Sequence, residues 1–111
     1  MNLENAYVSL RKASEKLALQ DAVKKNKALS AVADALDKNR AVIIAANKED
    51  MDAGRANGLS ESVLDRLMLD DKRIDGIIAS LRDVMGQTDP IGEEIGGWKT
   101  PNGLNIRQVR V

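Results

Sequence analysis

Apolar residues return at steps of three and four from Leu3 to Val84, a spacing that lets amphipathic helices bury one face. Leu3, Ala6, Leu10, Ala13 and Leu17 form a first stripe, with Arg11, Lys12, Glu15 and Lys16 facing water. Five such positions are too few for a coiled coil, so this stripe is read as core packing. Asp21 can cap a second helix with the stripe Ala22, Leu29, Val32, Ala33 and Leu36. Asn39 ends that helix and caps a third. The third begins with the run Ala-Val-Ile-Ile-Ala-Ala at 41–46, which is apolar on every side and is expected to be buried all round. So short a run also suits a strand, but Asn47 to Arg55 continues it with good helix formers. Asn57-Gly58 supplies a left-handed stop. Ser60 can cap a short helix carrying Val63, Leu64 and Leu67. Asp70 or Asp71 caps the last helix, with Ile74, Ile77, Ile78, Leu81 and Val84 on one face. Tyr7 and Trp98 are the only aromatic residues, so the core these stripes build must consist of Ala, Leu, Ile and Val.

The pattern changes after Met85-Gly86. Asp89-Pro90 disfavours helix at Asp89, and Gly92 loosens the backbone beyond it. Ile95 and Trp98 then lead into Thr100-Pro101-Asn102-Gly103, whose residue order suits a type I turn with a glycine bulge. Leu104 and Ile106 share one face of the return strand while Val109 and Val111 take the other, a change of phase that implies a bulge or a strand that leaves one environment for another. The fold class expected is therefore mainly α with a C-terminal β-hairpin. The sequence reaches Val111 inside an apolar strand, and a two-stranded hairpin is marginal alone. The expectation is a piece whose remaining sheet lies further along a longer chain or on another subunit.

Composition narrows the chemistry. The chain has no Cys and no His, so it offers neither a thiolate nor the usual general base, and no metal site is assigned. Lys plus Arg balances Asp plus Glu at 17 each. Residues 1–40 hold eight basic and five acidic side chains, 41–97 six and twelve, and 98–111 three and none. These local charges of +3, −6 and +3 cancel, which argues against nucleic acid or an anionic membrane as partner. Lys24, Lys25 and Lys27 are read as a solvated helix face, since neither aromatic residues nor an Arg cluster accompany them. Asp70 and Asp71 suit a helix N-terminus and need no catalytic role. Gly92, Gly96 and Gly97 lack the strand-turn-helix setting and the Lys-Ser/Thr of a phosphate loop. No apolar run approaches the roughly 18 residues of a membrane span and no hydrophobic leader is evident, so the expected location is cytoplasmic.

Several short runs are more specific. Ile44-Ala45-Ala46-Asn47-Lys48-Glu49-Asp50, Ala56-Asn57-Gly58-Leu59-Ser60 and Leu64-Asp65-Arg66-Leu67 come first. Asp89-Pro90-Ile91-Gly92, Asn102-Gly103-Leu104 and Arg107-Gln108-Val109-Arg110-Val111 come after them in order. Together they resemble the N-terminal region of the γ-glutamyl phosphate reductase (glutamate-5-semialdehyde dehydrogenase) family of the aldehyde dehydrogenase superfamily. The resemblance implies the N-terminal portion of an α/β aldehyde dehydrogenase-like fold. It also implies NADPH-dependent reduction of L-glutamate 5-phosphate to L-glutamate 5-semialdehyde, with release of phosphate, in proline biosynthesis. In that chemistry a cysteine thiolate attacks the acyl phosphate and hydride reduces the thioester. With no Cys in this sequence, no catalytic residue is carried over, and no cofactor-binding residue is assigned.

The resemblance further implies that residues 1–88 form a helical layer packing on a nucleotide-binding domain. Residues 89–111 would be a hairpin that starts the oligomerisation strands. Ile95, Trp98, Leu104 and Ile106 are its candidates for intersubunit contact, the alternative being that they pack on the chain's own helices. The implied partners are the remainder of the enzyme or another subunit of a homo-oligomer. A stand-alone helical oligomerisation module without catalysis is the competing reading.

Overall fold

The computed structural model describes residues 2–111. Five helices precede a hairpin: α1 Leu3–Ala18, α2 Ala22–Lys38, α3 Arg40–Ala56, α4 Glu61–Leu67 and α5 Asp71–Met85, then β1 Glu94–Lys99 and β2 Asn105–Val109. The chain divides into two compact units. One is Asn26–Gly86; the other runs up to Lys25 and resumes with Gln87–Val111. α2 begins in one unit and ends in the other.

Among the described residues, all the buried ones lie in Asn26–Gly86. Ala33 of α2, Asn47, Met51 and Gly54 of α3, Leu64 of α4 and Ile74 of α5 are shut from water, with Ile74 only 1% exposed. Asn47 falls on the same face of α3 as Met51 and Gly54, which continue it at steps of four and three. Its amide donates to Leu67 O at 2.8 Å and accepts from Leu69 N at 2.7 Å, so it holds the α4–α5 connection. Arg73 completes that connection by donating to Met68 O at 3.1 Å and to Asp65 O, and by pairing with the Asp65 carboxylate at 2.7 Å. Orphan carbonyls at the end of α4 thus receive side-chain donors.

Arg40, the first residue of α3, meets Asp37 and Asp75 at 2.7 Å each and Asp71 at 3.2 Å. Hydrogen bonds donated to Asp37 and then to Asp75 raise the guanidinium pKa above its ordinary value. The carboxylates offset the conflict between a cation and the positive end of the α3 dipole.

Several helix ends follow the expected chemistry. Asn2 accepts from Glu4 N at the start of α1, Asp21 from Lys24 N and Asp70 from Arg73 N. At the end of α3, Gly58 has φ 76°, Gly58 N donates to Arg55 O and Leu59 N donates to Gly54 O. This pair of bonds is a Schellman closure. Two caps differ. Asn39 sends its amide back to Ala35 O, so its side chain closes α2 rather than opening α3. Ser60 has an extended cap backbone, but its hydroxyl meets Ser62 instead of a helix N–H.

Two burial expectations are corrected. The α1 stripe is not a core seam: α1 has no buried residue, and Leu3, Leu10 and Leu17 are exposed. The 41–46 run is likewise not enclosed; Val42 is 69% exposed and Ile43 and Ile44 are half-buried. Amphipathic spacing fixes which face of a helix is apolar, and burial further requires an element to cover that face. Among the described residues the α1 face lacks one, and the 41–46 run is covered only in part.

Replacing Ile74 by Ala is expected to cost about 2–5 kcal/mol of stability by leaving a cavity. Asn47→Ala should cost about 1–3 kcal/mol by stranding the Leu67 and Leu69 backbone groups. Exposed Lys48→Ala should stay within about 0.5 kcal/mol. Urea unfolding of the three variants checks this order.

Candidate functional site

The hairpin carries the four residues singled out from the sequence. β1 and β2 are antiparallel, with Lys99 opposite Asn105, Trp98 opposite Ile106, Gly97 opposite Arg107 and Gly96 opposite Gln108. Trp98 and Ile106 therefore form an aromatic/β-branched cross-strand pair, a favourable combination on a pleated face. The register shifts between Glu94 and Gly96, so the irregularity lies at Ile95 in β1 rather than in the return strand where the phase change appeared. A Cβ at Gly97 would stand 2.7 Å from Ile106 O, which leaves no room there for a larger residue.

The turn closes as its sequence suggests. Gly103 N donates to Thr100 O and Thr100 N donates to Leu104 O, both at 2.9 Å, with Gly103 at φ 89°. Every residue of both strands is exposed. Ile95, Trp98 and Ile106 line one open groove beside Glu94, Asn105 and Arg107, and Leu104 does not line it. Trp98 and Leu104 are 60% and 59% exposed, Ile95 48% and Ile106 37%.

The base of the hairpin is tied down by charge. Arg110 pairs with Glu93 at 2.8 Å, and their backbones add a further bond from Arg110 N to Glu93 O. Lys25 at the start of α2 reaches Asp89 at 2.7 Å, with only 25% and 20% of the two side chains accessible. The expectation that Lys25 lies on a solvated face is thereby corrected: its ammonium is taken up by a partner 64 positions away. The Lys25 hydrogen bond, followed by that from Ile91 N, holds the Asp89 carboxyl below the usual carboxylate range.

The glycines at 92, 96 and 97 are not set out as a phosphate-binding loop. Gly96 and Gly97 stand in a paired strand, the N–H of Gly92 is spent on Arg110 O, and the backbone continues from Gly97 into strand rather than helix. Among the described residues no group of His, Cys, Asp or Glu is arranged to hold a metal ion. The gathering of Asp37, Asp71 and Asp75 is filled by the Arg40 guanidinium. Nor, among the described residues, is any helix long and apolar enough to cross a membrane.

Comparison with known proteins finds this scaffold within longer relatives. Gamma-glutamyl phosphate reductase of Clostridium novyi is 51% identical over 115 aligned residues, which take in all of this chain and 28% of the relative. That of Psychromonas ingrahamii is 43% identical over 111, again all of this chain and 27% of the relative. The chain is homologous to the N-terminal quarter of gamma-glutamyl phosphate reductase. The crystal structure of that reductase from Thermotoga maritima matches 97% of this chain and 26% of its own, with TM-score 0.92 and 42% identity. The Saccharomyces cerevisiae reductase matches 89% of this chain and 25% of its own, with TM-score 0.83 and 30% identity. The chain thus spans about a quarter of the length of the relatives it matches. No protein-family model matches it.

Three important positions escaped the reading of the residues. Asn47 and Arg40 signal themselves only as polar residues beside an apolar run, and Lys25 only as one of three lysines. For Lys25 and Asp89 the expected observation is a carboxyl titration. Because the Asp89 pKa is depressed, the ion pair contributes fully above the ordinary value of about 3.9 and fades as pH falls below it. Carbon-detected NMR should find the Asp89 midpoint under that value and Lys25→Met should move it back up; an unmoved midpoint would contradict the pairing.

Proposed function

We propose that this chain is the N-terminal segment of an NADPH-dependent reductase. The enzyme would convert L-glutamate 5-phosphate to L-glutamate 5-semialdehyde and phosphate in the proline biosynthesis of the cytoplasm. The reading is carried by one observation: identity of 40–51% over the chain with reductases of which it covers a quarter. The sequence contains no Cys, so the nucleophile belongs outside these 111 residues, as does the NADPH site. The role of the segment is architectural. Residues 1–88 supply a helical layer for the nucleotide-binding domain, and the exposed apolar residues of α1 and Val42 suit such packing. Residues 89–111 begin the strands of a homo-oligomer, with Ile95, Trp98, Leu104 and Ile106 facing a second subunit.

A stand-alone oligomerisation module without catalysis is the second reading, favoured by the exposed hairpin strands, whose unpaired edges can template a further strand. A hybrid separates the two. Substituted for the matching segment of the Thermotoga maritima reductase, this chain should support phosphate-dependent reduction of NADP+ by glutamate 5-semialdehyde, while the chain alone should show none. Turnover by the chain alone, or a folded hybrid without activity, would overturn the reductase reading. A defined, cooperatively folded oligomer of the isolated chain by light scattering would favour the module.

A further inference from the structure

The chain contains two Asn-Gly pairs, Asn57-Gly58 and Asn102-Gly103, both exposed. Glycine after asparagine leaves its main-chain nitrogen sterically open, so that nitrogen can attack the neighbouring side-chain amide. The two pairs sit in settings that differ in what must open before this happens. At Asn57 the next N–H is bonded to Arg55 O, Asn57 N is bonded to Ala53 O, and Leu59 N closes on Gly54 O. Gly54 is itself buried against Leu59 and Leu64, the latter 2% exposed. Freeing Gly58 N therefore means unwinding the end of α3 together with part of the core. At Asn102 the next N–H is likewise bonded once, to Thr100 O. But this bond and those beside it, Thr100 N to Leu104 O and Leu104 N to the Thr100 hydroxyl, all lie at the tip of a two-stranded hairpin with no buried residue. Such tips open at small free-energy cost.

We propose that Asn102-Gly103 is a site of spontaneous deamidation that converts the hairpin tip to aspartate or isoaspartate, while Asn57-Gly58 is protected by the fold. Gly103 N forms a bond to Asn102 Cγ and the amide C–N bond breaks. The proton given up by Gly103 N leaves with the amide nitrogen as ammonia. Water then adds across one imide bond of the resulting succinimide to give a free carboxylate, so the conversion needs no reactant but water. Opening at one side leaves an ordinary aspartate in place of the asparagine. Opening at the other routes the main chain through the side-chain carbon, lengthening the tip between Lys99 and its partner Asn105. A carboxylate is added to a stretch, 98–111, that carries three basic and no acidic residues.

The test is to age the 111-residue chain at neutral to mildly alkaline pH. Peptide mapping then tracks the mass gain of amide becoming carboxyl, with enzymatic methyl labelling of isoaspartate. A parallel sample in concentrated urea gives the rates without structure. The expected result is modification at Asn102 several-fold ahead of Asn57 in the native chain and comparable rates in urea, with the Asn102→Gln variant losing the hairpin signal. Equal native rates, Asn57 leading, or no native change at Asn102 while the urea sample reacts at both would each overturn the proposal.

Discussion

The Asn26–Gly86 unit depends on one amide group. Where α4 gives way to α5 the backbone must turn against α3, and doing so withdraws Leu67 O and Leu69 N from water. A connection of this kind is tolerable only if both groups find partners. Asn47 is the residue type that can serve both at once, since its planar amide presents a donor and an acceptor side by side. With that turn fixed, Leu64 and Ile74 arrive from opposite sides of it at the same core, and Arg73 is placed to take the carbonyls of Asp65 and Met68.

The two units are held together internally by different physics. Asn26–Gly86 has a dry centre of aliphatic side chains and satisfied polar groups, which gives it a packed identity. The hairpin has a backbone ladder, one aromatic cross-strand pair and ion pairs at its base, with every strand residue exposed. The second arrangement leaves side chains available to whatever lies beside them.

Local rules were legible in the sequence because their causes are local. Gly58 ends α3, Asp70 opens α5 and Gly103 completes the hairpin tip through interactions spanning five residues or fewer. The resemblance to the reductase was legible through short runs in a fixed order. What could not be read was anything set by a distant partner. Lys25 looked like a solvent-facing lysine because Asp89 is 64 positions away, and the amide of Asn47 gains its purpose only once residues 67–69 fold over it. The α1 stripe and the 41–46 run show the same limit in reverse: periodicity named the apolar face but carried no information about what covers it. The hairpin candidates were located correctly as a strand pair, yet Leu104 lies apart from the groove that gathers Ile95, Trp98 and Ile106.

The three-way pairing of Arg40 also bears on the order in which the molecule acquires its structure. Asp37 is three positions from Arg40 and can meet it as soon as the α2–α3 corner forms, whereas Asp71 and Asp75 are 31 and 35 positions away and require a long loop to close. Before that closure, α3 carries a cation where its own peptide dipoles already place positive charge. Its nucleus is thus electrostatically incomplete until α5 docks. Docking of α5 therefore supplies two of the three carboxylates that face the first turn of α3, so the charge balance of one helix is completed by another.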